Sequence, residues 1–149
     1  MPFGLRSFHH LYLLIMNTFP DFITAVQQFN RELLGVQQTG IRLLTDKERD
    51  YTHHCLVEEA DEMRDAGMAQ SVPKQVDAFV DSIYFALGGL YRMGLTPKQV
   101  LEACFLVHEA NMTKKKGVNE RRDMGVEDVI KPASFVPPEE AIAKMLGLI

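Results

Sequence analysis

Residues 58–62 read Glu-Glu-Ala-Asp-Glu, four carboxylates in five positions within a stretch of helical character. Like charges at helical spacing destabilise a helix by about 0.2–0.5 kcal/mol per pair, so such a run is either a solvated face or half of a site for something positive. Helical phase divides it. Tyr51, Cys55, Glu59, Glu62 and Ala66 fall on one stripe, with Leu56 and Met63 on its flank. Glu59 and Glu62 therefore point inward, Glu58 lies at the edge, and Asp61 points to solvent. A second pair of acids, Asp77 and Asp81, stands at i and i+4 in VDAFVDSIYFALGGLY (76–91). That segment is apolar nearly all round, the pattern of a buried helix. A buried carboxylate needs a partner or takes up a proton. Arg64 and Arg92 could pair with these acids, but the acids outnumber them. The face could also simply meet water at a subunit groove. The chemistry that uses such a face is cation binding. Mg²⁺ prefers carboxylate oxygens and takes waters and substrate phosphates as its other ligands.

A later helix supplies the complement. Val100, Cys104, Val107, Asn111 and Lys114 fall on one stripe, so an amide and an ammonium finish an otherwise apolar face. That pair suits phosphate. The run Lys114-Lys115-Lys116 also suits the negative end of a helix dipole, where solvated capping is the simpler role. His108, beside the stripe, reads as a structural hydrogen-bonding residue. His9 and His10 are adjacent and do not share a helix face, so they read as part of a surface arm.

Four helices must position these groups. The first follows Pro20, with Asp21 as its cap, and ends at Gly35. The second begins at the capping box TDKE (45–48) and runs to Ala66, with Gly67 as its stop. The third runs from about Pro73 to Met93 and stops at Gly94. The fourth starts at the capping box TPKQ (96–99) and continues to about the lysines at 114–116. A polar, proline-bearing tail (117–138) and a short last helix, PEEAIAKML, complete the chain. No stretch shows sustained period-two alternation. The fold class is all-α: a four-helix-bundle-like core with an irregular tail and a short last helix. Residues 1–19 read as an N-terminal arm or an extended start, and 20–149 as a single domain.

A hydrophobic share of 46% in 149 residues is that of a globular chain with a real core, which excludes wholesale disorder. The net charge of −4 excludes nucleic-acid binding through a broad basic footprint. The apolar run LYLLIM (11–16) is too short to span a membrane. Cys55 and Cys104 read as small core residues in a reducing compartment, which points to the cytoplasm.

These residues resemble the all-α nucleoside triphosphate pyrophosphohydrolases, the MazG-like group that includes phosphoribosyl-ATP pyrophosphohydrolases. EEADE matches the family's EExxE motif, and Asp81 in DAFVDSIYFALGGL matches the aspartate of its ExxD motif. VHEANMTKK (107–115) is similar to the family's Asn-xx-Lys segment, and DVIKPASFVPP (128–138) to the tail of a phage- and bacteria-type subgroup. One position departs: the glutamate of ExxD falls on Ala78, with Asp77 one residue earlier. The resemblance implies Mg²⁺ ligands at Glu59, Glu62 and Asp81, with Asp77 as the substitute fourth; Mn²⁺ would also serve. It implies that Glu58 is a further ligand or orients and deprotonates the attacking water. It implies that Asn111, Lys114 and Lys131 contact the substrate. The implied reaction is hydrolysis of an NTP or dNTP to the monophosphate and pyrophosphate, as house-cleaning or pool control, by a homodimer or homotetramer. Phe29, Asn30, Tyr84 and Phe135 are candidates for the base pocket. Ala78 leaves room for an alternative, a non-catalytic nucleotide-binding or helical interaction module with the same fold. A ferritin-like di-iron bundle is disfavoured, because the acidic helices carry no Glu-x-x-His.

Overall fold

A computed structural model describes residues 18–122 and 124–149. His9, His10 and nearly all of the expected arm lie outside the described residues. The chain forms two compact units, one up to Val100 and one from Leu101 to Ile149. Among the described residues the architecture is all-α apart from one two-residue strand pair.

In the first unit, helix α1 spans Phe19–Gln28. Its cap is Thr18, one turn earlier than the expected Asp21. Asp21 instead occupies the third helical position and its carboxylate accepts from the Thr18 backbone N–H, closing a capping box. The helix does not run smoothly to Gly35. Residues Phe29–Leu33 widen into a π-turn, with the Leu34 N–H bonded to the Phe29 carbonyl at 3.2 Å. Such turns often mark functional sites. Here the turn carries Asn30, which is buried and donates through Nδ2 to the Val26 carbonyl at 3.0 Å.

Helix α2 spans Asp46–Met68 and opens with the expected capping box between Thr45 and Glu48. Glu48 does more than cap. Arg42 grips it through both terminal nitrogens, at 2.7 and 2.9 Å, and Arg92 approaches to 3.6 Å. The Arg42 bonds, reinforced by the Thr45 N–H, lower the Glu48 pKa to about 2. The folded value lies below the unfolded one of about 4.5. The stabilisation is therefore fully present above about pH 4.5 and is lost as the pH falls through about 2. Glu48→Gln is expected to destabilise the protein by about 1–3 kcal/mol at pH 7, because the amide can still close the capping box but the charge-assisted grip of Arg42 is lost. Acid titrations of both proteins check this, because the difference should close as the pH approaches 2.

Gly67 lies inside α2 and does not stop it; the cap is Ala69, and Gln70 turns the chain at φ 54°. Glycine serves a packing need there. A Cβ at residue 67 would stand 2.8 Å from Nε2 of Gln75, the group that bonds the Met63 carbonyl. Helix α3, Val72–Arg92, follows after a three-residue turn and packs back along α2, while α1 lies on α3. Ile23, Val26, Cys55, Ala78, Leu87, Tyr91, Leu95 and Val100 form the core. The α3 segment expected to be buried all round is not. Val72, Val76, Phe79, Val80 and Ile83 are exposed along one side. Within the unit, Gly88 faces Asn30 and Gly89 faces Thr52.

Helix α4 spans Pro97–Met112, its start capped by Thr96 and Gln99 as expected. It ends two residues before Lys114. In the second unit, β1 (Lys115–Lys116) pairs antiparallel with β2 (Val129–Ile130), a ribbon too short to leave an alternation in the sequence. Helix α5 spans Glu139–Met145. Cys104 is exposed, unlike the buried Cys55, so only one cysteine is a core residue as the chain stands.

Candidate active site

The capping box of α2 fixes its phase, and the α2–α3 packing sets its acids against those of α3. Glu59 faces inward and is only 7% exposed. Its Oε2 is buried without a hydrogen-bond partner. Burial raises its pKa most, and the negative charges of Glu62, Asp81, Glu58 and Asp77 add to the rise in that order. All five acids singled out in the sequence therefore share one electrostatic field, centred on Glu59. They are not equally placed. Asp81 is half-buried, whereas Glu58, Glu62 and Asp77 are exposed. Glu62 thus stands at the rim, not inside as its phase suggested. Asp77 exerts the weakest influence on Glu59, while Ala78, at the position of the missing glutamate, is buried in the core.

Neither arginine singled out in the sequence compensates these acids. Arg64 pairs with Asp61 and Asp65, and Arg92 stands by Glu48. The outward placement of Asp61 is as expected, and it has a cation of its own. No three His, Cys, Asp or Glu side chains among the described residues stand closely enough as placed to hold an ion. The acids share a face and a field, not a preformed cage. The donor set nevertheless fits a hard divalent cation: every group is a carboxylate, and the central one is buried, repelled and missing a partner.

A cavity of about 390 Å³ adjoins Glu59 and Asp81. The π-turn supplies Phe29 and Asn30 to its wall, α3 supplies Tyr84, Phe85 and Gly88, and α2 supplies Tyr51. Its rings pack edge to face: Phe29 on Tyr84 at 5.3 Å and Tyr51 on Phe85 at 6.5 Å. Arg92 lies over the Tyr51 ring. A Cβ at residue 88 would come within 3.3 Å of the Asn30 amide, so Gly88 leaves room for that amide. Three of the four base-pocket candidates, Phe29, Asn30 and Tyr84, line this cavity. Tyr51, Phe85 and Arg92 were missed. Tyr51 lay on the Glu59 stripe one turn before Cys55, and that spacing was the available signal.

Asn111, Lys114 and Lys131 belong to the second unit. There the Lys114 ammonium donates to Asn111 Oδ1 at 2.7 Å and lies 5.5 Å from the centre of the Phe135 ring. Lys131 stands 4.9 Å from the same ring. The structure thus brings the three candidate substrate-binding residues of this unit together around Phe135.

The buried, repelled glutamate and the aromatic cavity thus lie side by side on the α2–α3 hairpin. The family of phosphoribosyl-ATP pyrophosphohydrolases matches residues 26–111, more than half of the chain and all of the acidic face. The chain belongs to that family, a MazG-like family of nucleotide pyrophosphohydrolases. No curated protein and no solved structure matches it. No helix among the described residues is long and apolar enough to cross a membrane.

Proposed function

We propose that this protein is a Mg²⁺-dependent pyrophosphohydrolase of nucleoside triphosphates, NTP or dNTP, acting in the cytoplasm in house-cleaning or pool control. The observation that carries this reading is Glu59, a desolvated carboxylate with an unpartnered oxygen at the centre of four other acids. Glu59, Glu62 and Asp81 would hold the cation, with Asp77 as an outer ligand in place of the family glutamate; Mn²⁺ would substitute. Bound there, the ion neutralises phosphate charge and lowers the pKa of water. Glu58 orients the attacking water and accepts its proton at a carboxylate oxygen. The water oxygen bonds to phosphorus as the bond between the α and β phosphates breaks, and pyrophosphate leaves. The aromatic cavity takes the base and excludes water from it. Asn111, Lys114 and Lys131 supply donors and positive charge for the phosphates or sugar.

The substrate is tested by incubating the protein with Mg²⁺ and the four NTPs, the four dNTPs and phosphoribosyl-ATP, each at equal concentration. Turnover of at least one NTP or dNTP faster than phosphoribosyl-ATP is expected. Turnover of phosphoribosyl-ATP alone would narrow the protein to the activity its family is named for. No turnover of any of the nine would favour the non-catalytic nucleotide-binding module that Ala78 leaves open.

The exposed apolar side of α3 supports a homodimer or homotetramer. Val72, Val76, Phe79, Val80 and Ile83 recur at helical spacing, and Phe79 is 55% exposed. Light scattering is expected to give a dimer or tetramer for the wild type and a monomer for Phe79→Glu. An unchanged mass in that variant would place the interface elsewhere.

A further inference from the structure

Several cations of the second unit are paired and others are not. Arg122 is neutralised by Asp128 through two bonds, at 2.6 and 3.0 Å, and Lys116 is paired with Glu127. Lys114 and Lys131 are held differently. Their direct partners are an amide oxygen and the face of Phe135, which orient an ammonium without an ion pair, although the Asp128 carboxylate lies near enough to Lys114 to feel its charge. Arg121 has no ion pair among the described residues, although its backbone N–H is fixed by Asn119 Oδ1 at 3.2 Å. Lys114, Arg121 and Lys131 all line one open groove of about 740 Å³, together with the paired Arg122 and with Glu120 as its acid. The β1–β2 ribbon forms one side of it through Val129 and Ile130. Among the described residues the groove thus holds three cations without an ion pair, Lys114, Arg121 and Lys131, beside one paired arginine and one acid.

We propose that the second unit binds a polyphosphate chain in this groove without any metal ion, and that Arg121 is a phosphate-binding residue alongside Lys114 and Lys131. A guanidinium can fork onto two phosphate oxygens, whereas the two ammonium groups act as point charges held at fixed positions. The ligand class is the triphosphate of a nucleotide. This deepens the reading of the protein as a nucleotide pyrophosphohydrolase and rests on it for the identity of the ligand.

The test is calorimetric titration of the full chain with inorganic tripolyphosphate in EDTA, so that the acidic face has no cation to recruit phosphate. Saturable binding is expected, weakening as salt is raised. Arg121→Ala should weaken it about tenfold, the scale of one charged hydrogen bond, and Arg121→Lys should recover part of the loss. Lys116→Ala, which removes a paired cation outside the groove, should leave it unchanged. Asp81→Asn should also leave it unchanged, although that variant is expected to lose hydrolysis. No metal-free binding by the wild type, or equal affinity in Arg121→Ala with an unchanged circular dichroism spectrum, would overturn the proposal. So would tighter binding of a single-stranded oligonucleotide than of tripolyphosphate, which would assign the groove to a nucleic-acid backbone. Metal-free binding that responds to Arg121 in a protein that hydrolyses no nucleotide would sustain this site and defeat the catalytic reading.

Discussion

Asp81→Asn is expected to reduce hydrolysis by at least about 10²–10³-fold, the scale for loss of one electrostatic stabiliser in an active site. The substitution keeps the side chain's shape on α3 and removes one of the negative charges around Glu59. The fold should therefore be intact, and the loss should appear in kcat/KM with an unchanged circular dichroism spectrum. Glu59→Gln should show the same loss of activity together with a gain in metal-free stability. In EDTA it should melt about 2–4 °C above the wild type, equivalent to about 1 kcal/mol, because a desolvated and repelled charge has been replaced by a neutral amide. Added Mg²⁺ should raise the melting temperature of the wild type and not that of Glu59→Gln. Stability given up in the metal-free protein for the sake of an active site is a common compromise. Full activity in Asp81→Asn would remove α3 from the site.

Gly94→Ala is expected to have the largest effect on stability. Gly94 follows α3 at φ 92°, where a side chain is strained. A Cβ there would stand 2.0 Å from the Gly40 carbonyl oxygen and 2.9 Å from the Ile41 nitrogen. Both are backbone atoms and cannot swing aside. The same crossing carries the Arg42 N–H to the Met93 carbonyl at 3.0 Å, and Gln38 Nε2 to the carbonyls of Tyr91 and Leu95. The strand of chain that delivers Arg42 to Glu48 is therefore seated against the end of α3. We expect a loss of about 3 kcal/mol or more, read from urea denaturation, with the Glu48 pairing weakened as a consequence. A loss below about 1 kcal/mol would mean that the crossing is looser than the backbone contact indicates.

Much of the placement of these candidate residues was legible in the sequence because it follows from helical phase and local capping. The boxes at 45–48 and 96–99 start helices where expected. Phase from the first box places Glu59 inward and Asp61 outward, as observed. Phase alone overreached at Glu62 and at the apolar side of α3, since a stripe gives direction and not depth. How deep a residue lies depends on what packs over it, and among the described residues Val76 and Phe79 are left exposed on one side of α3. Gly67 was misread because a glycine that makes room for Gln75 looks, in sequence, like one that ends a helix. The π-turn at Phe29–Leu33 carries no compositional mark, so the burial of Asn30 and the full aromatic wall around it emerged only from the tertiary structure. The β1–β2 ribbon was invisible for the same reason. Its two-residue strands are held by pairing, not by pattern.

In the proposed mechanism the acidic face of α2 and α3 directs water to the bond between the α and β phosphates of a nucleotide. Phosphorus NMR of the reaction with Mg²⁺ and the best nucleotide of the panel tests it most directly. Nucleoside monophosphate and pyrophosphate are expected in equal amounts, formed by the wild type and not by Asp81→Asn. Nucleoside diphosphate and inorganic phosphate as the products, or the same products at the same rate from Asp81→Asn, would contradict it.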